Sequence, residues 1–267
     1  MNKLPISALV VSLNEGKLLG DCLDSIYFCD EIVLVDLGSS DNSVQLAQSK
    51  GVQVIHHEVV PVVEIIRAKY YQQLEHDWIL CIDPDEAIDK ELRLDIERLF
   101  ERGIARNVGV LHVPWQFYLA GKPLKGTIWG GIKEKRLIFH KDRVQLNSYV
   151  HNGLILKEGY TELSITYRNT NVLHHYWMQN VKQLIEKHRR YLALEGPTRY
   201  ALGHRTTLRQ LAIHPFLAFK LSFLDKEGYR DKISGFLLSL FWMWYSTASL
   251  DRLYRIQLRE EQKDTNQ

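Results

Sequence analysis

Residues Trp78–Glu86 read Trp-Ile-Leu-Cys-Ile-Asp-Pro-Asp-Glu. Five apolar residues of strand length run directly into three carboxylates within four positions, Asp83, Asp85 and Glu86. A short apolar run without polar alternation is the mark of a strand covered on both faces. The acids therefore stand just past the end of a buried strand. The same pattern recurs upstream. Ile6–Leu13 is an apolar run followed by Asn14-Glu15-Gly16. Glu31–Asp36 is followed by the turn Gly38-Ser39-Ser40-Asp41, and Val52–His56 makes a further strand. Between these runs the apolar spacing is helical, as in Leu18, Leu19, Cys22, Leu23 and Ile26. Helices are also expected over Ser43–Lys50, Ile65–Leu74 and the amphipathic Lys90–Arg102. Strand and helix alternating in this way give βαβ units, parallel strands and an open, doubly wound sheet. Such sheets bind ligands at the carboxyl ends of their strands.

Beyond Gly109 the pattern changes. Val110–Tyr118 and Leu137–His140 read as strands of a mixed sheet. The Gly/Lys-rich segment Gly121–Lys135 between them is long enough for a functional flap. From Met178 the chain reads as mostly helical. The expected organisation is one α/β domain over residues 1–177, with an acidic half at 1–106 and a second half at 107–177, and then a helical extension over 178–267.

Composition agrees with a globular protein: 267 residues, 25% charged and 45% hydrophobic. That excludes wholesale disorder, collagen-like repeats and a disulfide scaffold. Cys22, Cys29 and Cys81 show no metal-finger spacing and read as buried free thiols in a reducing compartment. The N-terminal apolar run reads as a first strand rather than a signal peptide. Charge is unevenly spread. Residues 1–106 carry 10 Lys/Arg against 19 Asp/Glu, a net of −9, so residues 107–267 carry +11 of the overall +2. An acidic half that holds a cation and a basic half that faces phosphates or an anionic membrane is one reading, and acidic helices covering the first half is the other.

Several groups carry candidate chemistry. Three clustered carboxylates repel one another unless a cation or donors compensate. A D-x-D at a strand end suits a hard divalent ion together with substrate phosphates. Alternatively Asp85, Glu86 and Asp89 form the acidic N-terminus of the helix Lys90–Arg102. Asp36 is either an acceptor for a base or ribose or a turn residue, and Asp41 reads as a helix cap. Ser12-Leu13-Asn14-Glu15 is a second polar cluster, or the cap of the following helix. His174-His175 is not read as a metal pair, because neighbours in a strand point to opposite faces.

Taken together, N-E after the first strand, V-D-x-G-S-x-D at Val35–Asp41 and D-x-D-E at Asp83–Glu86 resemble the family 2 glycosyltransferases of the GT-A fold. Arg67 lies eleven residues before Trp78, where that family commonly has R-N before D-W-I-L, although Ala68 replaces the Asn. The resemblance runs from Ile6 to Gly153, more loosely through the tail, and is nearest to the branch of lipopolysaccharide-core transferases. It implies a GT-A sheet with a C-terminal helical extension, and an inverting transfer from a nucleotide-sugar donor to a saccharide or lipid-linked acceptor. It implies no nucleic-acid partner. Ser12, Glu15 and Asp36 would line the nucleotide pocket, and Arg67 and Arg136 would lie near the phosphates. Asp83 and Asp85 would hold Mg²⁺ or Mn²⁺, Asp85 being the more direct ligand.

The base is less defined. The family often places V-H-E after an R-L-F strand. Here Arg136-Leu137-Ile138-Phe139 is followed by Tyr149-Val150-His151-Asn152, and Asn152 cannot accept a proton. His151 is a base, a metal or phosphate contact, or a structural histidine. Glu134 in the flap is the second base candidate or a solvated charge, and Lys133 and Lys135 are phosphate contacts or solvated. A sugar nucleotidyltransferase and a non-catalytic saccharide-binding protein are the competing functions, the first disfavoured because the Gly-rich N-terminal signature of that class is absent. Ile233–Leu250 has no charge over 18 positions and is followed by Arg252, Arg255 and Arg259. It reads as a membrane-surface segment, a buried helix or a span. The first of these places the protein in the cytoplasm, peripheral to the inner face of the cytoplasmic membrane and docked on an anionic surface by the region Lys182–Arg259.

Overall fold

The four apolar runs before residue 83 become four parallel neighbours. In the computed structural model, which describes residues 3–147, 153–178 and 181–265, they are β1 (Leu4–Ser12), β2 (Cys29–Asp36), β3 (Gln53–His56) and β4 (Trp78–Ile82). The helices between them are α1 (Gly16–Ser25), α2 (Ser43–Ser49) and α3 (Val63–Tyr70). α3 begins earlier than its apolar spacing predicts and ends in a separate 3₁₀ turn at Tyr71–Gln73. A short strand β5 (Glu86–Ile88) precedes α4 (Lys90–Arg102), whose N-terminus is capped by Asp89 accepting from the Leu92 N–H at 2.7 Å. Asp89 thus caps the helix, while Asp85 and Glu86 do not.

The remaining strands are β6 (Val108–Leu119), β7 (Lys122–Pro123), β8 (Ile132–His140), β9 (Val144–Leu146), β10 (Leu154–Leu156), β11 (Thr161–Ser164) and β12 (Leu173–Met178). The main sheet runs β3-β2-β1-β4-β8-β6-β12-β5, with β7 and β11 on β6 and a separate ribbon of β9 and β10. This is the doubly wound mixed sheet of the GT-A type, followed by C-terminal helices. The register lines up the carboxyl ends: Ser12 lies beside Asp36, Asp36 beside His56, and Val10 beside Ile82. β8 is antiparallel to β4, with Leu80 beside Ile138, so the residues before Ile138 come level with the chain leaving β4. Ile132–Lys135 are therefore strand, which corrects the expectation that Glu134 sits in a flap.

Strand alternation sends side chains to two cores. Ala8, Val10, Leu34, Leu80 and Ile82 pack on one face with Leu19 and Leu23 of α1 and Leu92 of α4. Leu9, Val11, Val33, Val35 and Ile79 pack on the other with Ile66 of α3 and Tyr71. Each Val, Leu or Ile side chain among them gains roughly 1.5–3 kcal/mol from burial, enough to hold the polar carboxyl edge in place. The three cysteines are free and buried.

The chain divides into two units, Met1–Gln116 with Ile132–Trp177, and Phe117–Gly131 with Met178–Gln267. The second contains α5 (Val181–Ala201), α6 (Leu208–Lys220) and α7 (Lys232–Thr265), with a π-helical turn at Leu221–Asp225 and a 3₁₀ turn at Gly228–Asp231 between the last two. Among the described residues one helical stretch, Gly228–Lys263, is long and apolar enough to cross a membrane, and a third of its most apolar window is buried.

Candidate active site

The loops after β1 and β2 are tied together. Asn14 takes a left-handed φ of 58°, which Asn tolerates, and its Oδ1 accepts from the N–H groups of Ser40 (2.7 Å) and Asp41 (3.3 Å). Asp41 accepts from the Gly16 N–H at 2.9 Å and the Ser43 N–H at 3.0 Å, so it clamps two helix starts rather than capping one. Glu15 is exposed at the start of α1 and does not cap it through its side chain.

Asp36 is 2% exposed at the end of β2. Its carboxylate accepts from the N–H of Gly38 (3.1 Å) and of Ser39 (3.2 Å), and His56 Nδ1 lies 3.4 Å away. Burial alone raises its pKa, but these donors outweigh it and leave the carboxyl below the usual range. Beside it Ser12 Oγ, at the end of β1, is buried with no hydrogen-bond partner among the described residues. An ionised acceptor and an unengaged hydroxyl at adjacent strand ends form a polar pocket suited to a sugar or base edge.

The carboxylates after β4 separate into two groups. Asp83 Oδ1 receives Arg67 at 2.6 Å and its Oδ2 receives Lys135 at 3.3 Å. Glu86 is buried, binds Lys135 as well, and accepts from the Asp83 N–H at 3.0 Å, while its Oε1 has no hydrogen-bond partner among the described residues. Burial opposes the charges of Arg67 and Lys135. Asp83 with other anions for Arg67, and Glu86 with Asp83 for Lys135, overcome this and hold both pKa values above their ordinary ones. Cys22 touches this cluster through its Sγ, 3.4 Å from the Asp83 carbonyl oxygen. Burial first, and then Glu86, Asp83 and Asp85, keep its thiol protonated. Asp83, expected beside Asp85 as a metal ligand, is thus engaged by two protein cations.

Asp85 turns to another partner, His175 Nε2, at 3.3 Å. β12 delivers this histidine by pairing antiparallel with β5, His175 opposite Glu86. Its ring stacks on Trp115, 5.0 Å between centroids and 8° between planes, and the Lys135 Nζ lies 5.2 Å from the centre of the same indole. Sequence reasoning missed His175 because it tested the two adjacent histidines against each other. The alternation that separates them is what aims one at a distant aspartate. Among the described residues no three His, Cys, Asp or Glu side chains gather as a complete metal shell. Yet the Asp85 carboxylate, 15% exposed, is the oxygen ligand that a hard divalent ion takes, and the His175 imidazole, 8% exposed, is a nitrogen ligand beside it; an ion held there would draw its other ligands from phosphate and water.

Glu134 and Arg136 alternate with Lys135 along β8 and so face away from Asp83. Glu134 is 60% exposed and lies 3.7 Å from His112, and Arg136 pairs with Glu162 at 2.7 Å. The structure therefore brings together Ser12, Asp36, Arg67, Asp83 and Asp85 at one sheet edge, and adds Lys135, Glu86 and His175. It sets Glu134 and Arg136 apart. His151 lies outside the described residues.

Comparison with known proteins adds to this geometry. The glycosyl transferase family 2 model matches residues 7–160. A lipopolysaccharide core biosynthesis glycosyltransferase, LpsC, of Rhizobium meliloti (strain 1021) is 28% identical over 95% of this chain and 93% of its own. An uncharacterized glycosyltransferase of Rickettsia prowazekii (strain Madrid E) is 22% identical over 96% of this chain and 89% of its own. Among solved structures, S. aureus TarS 1–349 superposes with a TM-score of 0.46 at 11% identity, covering 98% of this chain and 92% of that one. A glucosyl-3-phosphoglycerate synthase from Mycobacterium tuberculosis, solved with Mn²⁺, UDP and glucosyl-3-phosphoglycerate, gives 0.33 at 20% identity over 43% of each chain.

Proposed function

Because the chain belongs to glycosyl transferase family 2, we propose that it moves a sugar, with inversion, from a nucleotide-sugar donor to a saccharide or lipid-linked acceptor of lipopolysaccharide-type cell-envelope assembly. The reaction takes place at the cytoplasmic face of the membrane. The observation that carries this reading is the charge arrangement at the sheet edge, an ionised Asp36 on one side and the Arg67–Asp83–Lys135–Glu86 cluster with the Asp85–His175 pair on the other.

In this reading Asp36 accepts hydrogen bonds from the nucleoside, with Ser12 and Glu15 lining the same pocket. Asp83 holds Arg67 and Lys135 in position, and their positive charges face the diphosphate of the donor. Asp85 and His175 would hold Mg²⁺ or Mn²⁺, which when bound would neutralise charge on the departing nucleoside diphosphate. His151 takes the proton from the acceptor hydroxyl as it attacks the anomeric carbon from the side opposite the leaving group. Glu134 is not used, since its strand position points it to the other face.

The test is incubation with a panel of nucleotide sugars, with Mn²⁺ and with EDTA. Release of nucleoside diphosphate that EDTA abolishes is expected. Asp85→Asn should weaken metal-dependent nucleoside diphosphate binding roughly tenfold or more, and His151→Ala should lower kcat with that binding retained. Pyrophosphate release, or silence across the panel with intact donor binding, would count against transfer.

A further inference from the structure

The second unit carries an apolar surface that the first lacks. Of the 19 large apolar residues exposed among the described ones, 11 fall between Leu208 and Trp244. On α6 and the π-helical turn, beyond Leu208 at the first position of α6, they are Ile213, Phe216, Leu217, Leu221 and Leu224, spaced at i, i+3, i+4, i+8 and i+11. On α7 they are Ile233, Phe236, Leu237 and Trp244, at i, i+3, i+4 and i+11. Each set is one stripe of its helix. The stripes meet at Phe236, whose ring lies 5.9 Å from Phe219 and 5.8 Å from Phe223. Phe216 and Ile233 are 76% and 77% exposed, a cost in water that an isolated soluble domain has no reason to bear.

The opposite side of this hairpin is buried, with Ala218, Leu238, Tyr245 and Leu253 turned inward, and hydrogen bonds fix it. Ser222 and Ser239 share a hydrogen bond of 2.9 Å between the two arms. Further along α7, Tyr245 and Ser249 donate to the Glu195 carboxylate of α5, and Arg199 donates to Ser249 at 3.3 Å. A helix with one side bound to Glu195 and Arg199 and the other side apolar is built to lie at an interface rather than cross a bilayer. Exposed cations border the stripes. Lys220 and Arg230 pair with Asp225 and Glu227, whereas Arg209, Lys226 and Lys232 have no acidic side chain at ion-pair distance among the described residues. The three arginines after the uncharged stretch lie at the other end of α7, where Arg255 is already paired with Asp251.

We propose that the α6–α7 hairpin docks in the headgroup region of an anionic bilayer, with Phe216, Leu217, Ile233 and Leu237 embedded and Arg209, Lys226 and Lys232 on the phosphates. The inference deepens the cell-envelope reading above and rests on it only for the choice of a lipid surface. The docking end of the tail is thereby the hairpin around residues 209–237, not Arg252–Arg259.

Flotation of the full chain with phosphatidylcholine vesicles, with and without phosphatidylglycerol, over a salt series tests it. Binding to the anionic vesicles that salt weakens is expected. Phe216→Ser with Ile233→Ser should lower partitioning roughly a hundredfold, and Arg209→Glu with Lys226→Glu should remove the preference for phosphatidylglycerol. Arg252→Glu with Arg255→Glu should change neither. Phe216, Ile233, Arg209 and Lys226 are exposed, so circular dichroism melts of their variants are expected to match the parent, and the Arg252/Arg255 variant loses only the surface pair with Asp251, worth about 0.3–0.5 kcal/mol. Three results would overturn the proposal: no vesicle binding by the parent chain, attachment that resists salt and alkaline carbonate and so marks a span, or self-association without vesicles that Phe216→Ser abolishes. Nucleoside diphosphate binding measured on the same samples separates the outcomes, since its loss bears on the transferase reading and leaves the docking result intact.

Discussion

Lys135 is the residue on which the sequence is least informative and the structure most specific. A lysine in a Gly/Lys-rich segment reads equally as a solvated loop charge, and only the antiparallel register of β8 against β4 puts it on Asp83 and Glu86. Removing it by Lys135→Met leaves Glu86 buried and without a cation, which should cost about 3–5 kcal/mol in urea unfolding. Adding Glu86→Gln should recover more than half of that loss. A Lys135→Met protein as stable as the parent would mean that the lysine is solvated after all. The pH dependence of the site follows from the directions of its shifts. Burial favours the neutral Lys135 amine, but Glu86 and Asp83 raise its pKa. Its stabilisation is therefore complete below the ordinary lysine value of about 10.4 and lost only as pH rises through the folded-state value. Asp36 runs the other way. Its pKa is depressed, so its contribution is present above about 3.9 and lost as pH falls through the lower folded value. Neither group weakens the fold near neutrality.

Element boundaries were legible wherever apolar period and turn residues agreed, which is why β1, β2, β4 and α4 lie within two residues of the positions their sequences predict. The acids at the ends of those strands were legible for the same reason. What was not legible depends on pairing between distant segments: β5 against β12, which aims His175 at Asp85, and β8 against β6, which turns Glu134 and Arg136 away. No local pattern encodes those registers. The hairpin of the second unit shows the same dependence through its glycines. A methyl group on Gly235 would run into the Gly228 carbonyl oxygen, which is backbone and cannot swing aside. Gly20, inside α1, would meet only a Leu46 methyl at 3.7 Å. The two substitutions should therefore have opposite signs. Gly20→Ala should stabilise by about 0.5–1 kcal/mol through helix propensity, and Gly235→Ala should destabilise by about 1–3 kcal/mol through overpacking. Thermal melts of both variants decide it, and a stabilising Gly235→Ala would show that the close approach of α7 to the preceding turn is not real.

At the scale of the whole molecule, the two units carry opposite charge, a net of −6 over residues 1–116 and 132–177 and of +8 over residues 117–131 and 178–267. Every candidate donor contact, from Ser12 to His175, belongs to the first unit, whereas the apolar stripes and the cations bordering them belong to the second. Binding to the native state protects what it touches and stabilises by an amount set by ligand concentration over Kd, about 2.7 kcal/mol at a hundredfold excess. Two ligands with separate sites should then leave separate footprints. In hydrogen exchange, a nucleoside diphosphate with Mn²⁺ should slow the amides of Gly38–Asp41 and of Asp83–Ala87, which sit at the strand ends, and leave residues 208–237 unchanged. Anionic vesicles should slow residues 208–237 and leave the strand ends unchanged. Within helices the slowing is read as reduced opening, because amides already hydrogen-bonded exchange only when the segment opens. If the nucleotide protected the hairpin as strongly as the strand ends, the assignment of the donor pocket to the first unit alone would fall. If vesicles protected Asp83–Ala87, lipid rather than nucleotide would be the ligand of the carboxyl edge.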